Sequence, residues 1–414
     1  NYSTSDLFAQ MLYCNPINFP VTFPVQPGDT HIRFGNAIWT GSSVRTNPYA
    51  YMLSSFKEYN ENTLNTSLKI NQKLDFVTKG LSVQAMVNWK NWASSSYNRT
   101  IEPYYYGIKG GSYNPSNPTD YEIERLGTSG TDYLKTSDIS KASDQTFYLD
   151  ARVNYDRQFN LHHVTGMLMY MQREYRSSVL PERNQGFSGR FTYDYGQRYL
   201  VELNFGYNGT ERLAKKERFE FFPAVSLGWV ISNEKFFEPM TKYIDNLKIR
   251  GSYGSLGNQA LNNGWYAYLS NYSTGQISWI MGSNQPQYVV PGGLVSSSIT
   301  WETVTQWDLG LDFNFLNSRL KGAFDYYQRR TSDILAAGKI LPGVLGANEP
   351  QENAAESLTK GWEFEISWND QLANGFHYTV GFNLSDYQSE VTKFDNESKE
   401  LGNWYVGQKQ GEIW

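Results

Sequence analysis

At 414 residues the chain has room for two ordinary domains or one large closed sheet. Charged residues make up only 19% of it while aromatics reach 16%, and a net charge of −5 without a basic stripe excludes nucleic acid as the expected partner. No run approaches the roughly 18 to 20 apolar residues of a spanning helix, which excludes membrane helices but not membrane strands, whose signal is alternation.

In chain order, the first alternation sets Leu64, Thr66, Leu68 and Ile70 against Asn65, Ser67, Lys69 and Asn71. The next sets Leu81, Val83, Ala85, Val87 and Trp89 against Ser82, Gln84, Met86 and Asn88. Phe147 to Tyr155 repeats it with Asp150, Arg152 and Asn154 on the other face, and weaker runs follow near 163–171 and 187–195. The clearest case is Tyr199, Val201, Leu203, Phe205 and Tyr207, alternating with Leu200, Glu202, Asn204 and Gly206. Weaker runs near 224–231 and 247–255 lead to Trp307, Leu309, Leu311, Phe313 and Phe315, then to another near 320–328. Trp362, Phe364, Ile366 and Trp368, and then Phe376, Tyr378, Val380, Phe382 and Leu384, close the series. A period of two throughout predicts about twelve strands and no comparably clear amphipathic helix.

The connections between these strands alternate in length. Short turns are expected at Thr78-Lys79-Gly80, Arg157-Gln158-Phe159, Gly196-Gln197 and Asn317-Ser318. Between them lie long Gly/Asn/Ser/Tyr-rich segments at about 90–146, 173–186, 208–218, 258–300 and 329–361. Tight turns on one side and long loops on the other are the stringing of an outer-membrane barrel, whereas a sandwich has no reason to segregate its loops by length. The segment 232–246 is an exception, a longer connection on the short side.

The dimensions fit a bilayer. Eight steps from Tyr199 to Tyr207 span about 26 Å, and a tilt of about 40° reduces that to about 20 Å of thickness, near the apolar band of such barrels. Aromatic rings at both strand ends suit the two interfaces. The opposite face carries Asn, Ser, Thr, Gly and single charges such as Glu202, Arg152 and Glu365, as a wet lumen would. The fold expected is therefore all-β, a transmembrane antiparallel β-barrel, with residues 1–414 forming its wall and loops.

Catalytic chemistry finds little support. The only cysteine, Cys14, permits no internal disulfide, and His31, His162, His163 and His377 do not have zinc-site spacing. GSLGNQ (254–259) lacks the following helix a phosphate loop needs, and the pair Glu363 and Glu365 reads as lumenal hydration. The chain is read as no enzyme, without cofactor or metal. The candidate binding residues are aromatic groups in the long loops: Tyr104, Tyr105 and Tyr106 in the first, Trp265, Tyr266, Tyr268 and Trp279 in the fourth. Such rings can stack on the apolar faces of sugars, with Asn262, Asn263, Asn271 and Asn284 bonding to hydroxyls. Loop-on-loop packing or contact with a lid protein is the other reading of the same rings.

Several stretches together resemble the barrel of SusC/RagA-type TonB-dependent outer-membrane transporters of Bacteroidetes. They are NPYAYM (47–52), KGLSVQ (79–84), FEFFPAVSLGW (219–229), NLKIRGSYGSLGNQ (246–259), ITWETVTQWDLGLDFNFLNSRLKGAFDYYQRRTSDIL (299–335) and TKGWEFEISW (359–368). The resemblance implies a 22-stranded cylinder of which this chain is part, with an N-terminal plug and the last strands lying outside it. It also implies a bacterial outer-membrane location, a SusD-like surface lipoprotein as lid, the TonB complex as energy source, and an oligosaccharide or, as the variant, a peptide as cargo. A passive porin or structural barrel is the alternative from another class.

Overall fold

The computed structural model describes residues 4–14, 19–40, 43–45, 47–259, 264–279, 282, 284–337, 344, 346–347, 349–396 and 402–412. Helix α1 (Thr4–Tyr13) precedes three short strands, β1 (Arg33–Gly35), β2 (Ile38–Thr40) and β3 (Ser43–Val44), and helix α2 (Pro48–Leu53). The long strands begin with β4 (Ser55–Lys73) and β5 (Leu81–Thr100), followed by the short β6 (Tyr104–Ile108), β7 (Ile123–Leu126) and β8 (Lys135–Thr136). Then come β9 (Ser140–Phe159), β10 (His162–Arg176), β11 (Glu182–Tyr195), β12 (Tyr199–Thr210), β13 (Phe219–Val230) and β14 (Ile244–Asn258). A hairpin, β15 (Tyr272–Gln276) and β16 (Gln287–Pro291), precedes β17 (Glu302–Phe315), β18 (Leu320–Ala337), β19 (Gln351–Gln371) and β20 (His377–Lys393).

The chain forms two compact units, Asn1–Leu64 with Lys90–Gln145 and Asn65–Trp89 with Thr146–Trp414. In the first, β6 lies between β1, to which it is parallel, and β7, to which it is antiparallel. Asn47 organises this unit. Its side-chain oxygen accepts from the amides of Tyr49 and Ala50 to cap α2, while its amide donates to the carbonyls of Val21 and Gly35, both at 2.8 Å. A fully buried amide that makes four bonds costs nothing in unpaired polarity and fixes three segments at once.

The long strands form one sheet, whose strand order is β20-β19-β18-β17-β14-β13-β12-β11-β10-β9-β5-β4. These are the strands expected from the alternation, each in its expected place. From β10 to β20 every neighbouring pair is antiparallel. Gly196 and Gln197 both have φ 55°, as the two central residues of the tight Tyr195–Arg198 turn, in which the Arg198 amide donates to the Tyr195 carbonyl at 3.0 Å. The turn expected at Arg157-Gln158-Phe159 instead falls at Asn160, whose φ is 52°, because β9 stays in the ladder to Phe159 and Asn tolerates the left-handed conformation that Phe does not. Several strands also outrun their apolar pattern. Residues 90–100 are mostly polar on both faces, with only Trp92, Ala93 and Tyr97 between them, so the alternation stops near Trp89, but the backbone stays in β5 to Thr100. The exceptional segment 232–246 folds into two short 3-10 helices, Ile231–Asn233 and Lys235–Met240, with Phe237 buried, before β14 starts.

Register turns the alternation into two faces. One row across the sheet reads Tyr195, Tyr199, Trp229, Ile249, Leu311, Phe324, Phe364, Leu384, each paired with the next. A row three residues along, on the other face, reads Thr192, Glu202, Ser226, Ser252, Asp308, Tyr327. The apolar face is exposed at Leu168, Leu203, Phe205, Leu227, Ile249, Leu309, Val380, Phe382 and Leu384 alike, and among the described residues no second layer packs over it. Each such side chain would gain roughly 1.5–3 kcal/mol on leaving water. Its solvent is therefore hydrocarbon.

Candidate functional site

Four of the long connections, 173–186, 208–218, 258–300 and 329–361, meet in a compact rim. Its apolar centre is Leu213, Phe222, Ile299 and Trp301, with Leu335 against them. The Phe222 and Trp301 rings meet edge-on at 5.5 Å. Gly257 leaves the space for Phe222, since an added Cβ there would lie 2.0 Å from the ring. Around this centre runs a polar shell. Glu211 accepts from the Tyr266 hydroxyl at 3.1 Å and pairs with Arg183 at 3.6 Å and Arg218 at 3.4 Å. The Tyr266 hydroxyl also donates to the Pro181 carbonyl, and Arg218 donates to the Tyr268 hydroxyl at 3.2 Å. The Arg212 guanidinium sits 4.5 Å from the centre of the Trp265 ring. Asn353 closes the ring of contacts, accepting from the Thr300 amide and donating to the carbonyls of Thr300 and Asp333. Burial and the Glu211 carboxylate push the Tyr266 phenol up to about 12. Tyr266 adopts φ 61°, a conformation unfavourable for a ring-bearing residue and held by these contacts.

Beyond the rim projects the hairpin β15–β16. Asn271 fixes its root by accepting from the Gly292 amide at 2.7 Å, and Gln276 and Gln285 fix its tip by donating to the carbonyls of Gln285 and Ile277. Tyr272 and Trp279 are 72% and 76% exposed.

Tyr104, Tyr105 and Tyr106 lie on β6 of the first unit. Tyr104 and Tyr106 share a face with His31, whose ring stacks on Tyr104 at 3.9 Å and whose Nε2 lies 2.8 Å from the Tyr106 hydroxyl. Arg125 covers Tyr104 at 4.9 Å and Arg33 covers Tyr106 at 5.0 Å. The Tyr104 hydroxyl donates to Asp132 at 3.0 Å, which raises its phenol above the usual range. Tyr105 points to the opposite face and is half-buried.

On the polar face of the sheet, Arg250 of β14 reaches across two strands. It pairs with Asp308 at 3.4 Å and Asp312 at 3.2 Å on β17, and with Asp325 at 2.7 Å on β18. Gly310 makes the crossing possible, since a Cβ there would lie 2.5 Å from the guanidinium carbon and 2.6 Å from the Asp325 carboxylate. Lys248 adds a second cation, 3.8 Å from Asp312. Glu363 and Glu365 border the same cavity of about 530 Å³ together with Asp312 and Asp325.

Of the residues singled out from the sequence, Trp265, Tyr266 and Tyr268 come together in the rim, the tyrosines as parts of its bonding shell. Trp279 stands apart with an open ring, Asn271 holds the hairpin root, and Asn284 is exposed near the tip. Asn262 and Asn263 lie outside the described residues. Sequence reasoning passed over Tyr272 and Tyr288, although the β-prone run Tyr288-Val289-Val290 facing Ser273-Thr274-Gly275 was a signal for a hairpin. It also passed over Arg250, whose partners lie 58 to 75 residues away in sequence and are joined only by register.

A single sheet with hydrocarbon on one face and ion-paired polar groups on the other defines the wall of an outer-membrane β-barrel. Residues 16–410 match the family model described as "TonB dependent receptor-like, beta-barrel", and the chain belongs to that family, whose barrels lie in the outer membrane. SusC of Bacteroides thetaiotaomicron, a TonB-dependent receptor, is 25% identical over 378 residues, covering 87% of this chain and 36% of SusC. TonB-dependent receptor P3 of Formosa agariphila is 30% identical over 205 residues, covering 50% of this chain and 20% of that receptor. The chain thus spans well under half the length of either relative. Among solved structures, the RagAB peptide importer in its closed-closed state superposes with a TM-score of 0.65 at 16% identity, covering 90% of this chain and 41% of that one. The SusC/RagA-type resemblance, the antiparallel membrane sheet and the outer-membrane location are thereby borne out.

Proposed function

We propose that the protein carrying this chain is a TonB-dependent importer of a bulky oligosaccharide, working with a SusD-like surface lipoprotein. This chain supplies the lipid-facing wall, the lumen and the extracellular loops of the barrel. The TonB complex, drawing on the inner-membrane proton gradient, opens a path by displacing a plug held in the lumen. The observation that carries this reading is the two-faced wall within a family of TonB-dependent receptors. On this reading the long connections face outward, and the rim built on Leu213 and Trp301 joins four of them, 173–186, 208–218, 258–300 and 329–361, above the membrane.

Uptake of fluorescently labelled oligosaccharides tests it, in cells with and without the gene and with and without a protonophore. Uptake that needs both the gene and the gradient is expected. Uptake that survives the protonophore would make this a passive barrel, and gradient-dependent uptake of labelled peptides alone would assign the peptide variant.

A further inference from the structure

Between Arg250 and Glu302 the sequence contains no Asp, Glu, Lys, Arg or His. In a chain that is 19% charged, a run of this length should carry several. The other long connections do carry them: Glu211, Arg212, Lys215, Lys216, Glu217 and Arg218 crowd into the short 208–218 segment alone. The charge-free stretch is the one that bears the projecting hairpin. A surface loop normally stays soluble by carrying charge, so this one keeps water with amides and hydroxyls instead.

The hairpin also presents rings in a set orientation. Tyr288 lies across Gly275, where an added Cβ would be 2.5 Å from both its Cζ and its hydroxyl oxygen. A ring laid flat over a glycine on the neighbouring strand is held in place and offers its outer face, and Tyr288 is 44% exposed. Trp279 stands at the tip and Tyr272 on the hairpin's other face. Gln287 and Asn284 are exposed beside them. Flat apolar rings interleaved with neutral donors and acceptors match a ligand that has apolar C–H faces, a fringe of hydroxyls and no charge. They offer no opposite charge to the carboxylate, sulfate or ammonium of an ionic ligand, which would give up hydration without forming an ion pair in return.

We infer that the hairpin Tyr272–Pro291 is a capture element for uncharged glycans, with Tyr288 and Trp279 as its stacking rings and Gly275 as the positioning residue for Tyr288. This rests on the importer reading above and narrows its cargo to neutral oligosaccharides.

The test uses the full-length protein, purified from outer membranes in mild detergent with whatever lipoprotein accompanies it. Calorimetric titration is run with malto-, cello-, xylo-, manno- and laminari-oligosaccharides, a matched oligogalacturonate, a sulfated oligosaccharide and an octapeptide. A neutral member is expected to bind with an affinity little changed between low and high salt, since no ion pair forms. Trp279→Ala, Tyr288→Ala and Gly275→Val should each weaken it by about tenfold or more. Tyr288→Phe should keep it, and heat-modifiable migration should show every variant folded. Preference for the charged ligands or the peptide, binding by no neutral member, or ring variants that bind as wild type would overturn the inference. So would ring variants that shed the lipoprotein while keeping glycan affinity, because the hairpin would then be a protein contact. Uptake of an ionic ligand that still needs the proton gradient would sink this inference and leave the importer standing. Loss of gradient dependence would remove the importer reading itself.

Discussion

Arg250 serves three carboxylates because the residue between them has no side chain. In Gly310→Val the new methyl groups would occupy the guanidinium's path, so Asp325 would lose its 2.7 Å partner. Hydrogen bonds to charged groups contribute about 1.5–3 kcal/mol, and Arg250 is partly hydrated, so a loss near the lower end is expected. Urea unfolding of the full-length protein in detergent would show it, and Arg250→Met should cost a similar amount without being additive to it. A second effect at this scale depends on pH. The Tyr266 phenol is raised from 10 to about 12, so the folded rim favours its neutral form. The stability this supplies is complete below the unfolded value near 10 and is lost as the pH rises through 12. Tyr266→Phe should lower rim stability by about 0.5–1.5 kcal/mol at neutral pH and flatten its decline between pH 10 and 12, read as protease susceptibility of the 258–300 connection.

Strands are where the sequence was most legible, and a single substitution can test why. Leu203 sits midway between Tyr199 and Tyr207, flanked across the ladder by Phe191 and Val225. Leu203→Arg puts a cation at the centre of the apolar band and should cost about 2–4 kcal/mol, whereas the same change at Asn204, one residue on and facing the lumen, should cost far less. Equal losses at the two positions in urea titrations would refute the assignment of faces. Period-two alternation encodes a strand and its two faces together, so both could be read from residues 199–207 before any pairing was known. The connections carry no such code. Trp265 and Tyr266 were legible as aromatic loop residues but not as rim pieces, because Arg212, Glu211 and Pro181 reach them from other loops. Strand ends were lost for a different reason: from Lys90 to Thr100 and beyond Leu335 the ladder continues after the apolar rhythm has stopped. The hairpin was missed because its two strands are short, with five residues each, and exposed on both faces, so no alternation marks them.

For the wall as a whole, water is the wrong solvent for one face and hydrocarbon the wrong one for the other. In many folds a helix or second sheet would cover Leu227, Leu309 and Val380; here the membrane takes that place. The thickness it must have follows from the strands. About 26 Å of apolar strand at a barrel's tilt gives a band of roughly 20–25 Å, below the roughly 30 Å hydrocarbon core of an average bilayer. Mismatch costs fractions of a kcal/mol per ångström, and the many strands of a barrel share it. The full-length protein diluted from urea should therefore reach its heat-modifiable form in higher yield in short-chain vesicles with a core near 25 Å than in long-chain vesicles above 30 Å. It should fail to do so in buffer without lipid or detergent. The girdle residues predict a further detail: Tyr195, Tyr199 and Trp229 form one row at the turn end of β11, β12 and β13. Replacing all three with leucine should blunt the preference for thin bilayers, because that end of the band would then extend without the rings that fix its depth. A yield that rises with thickness, or a triple variant with an unchanged optimum, would mean that something other than this apolar band sets how the wall sits in the membrane.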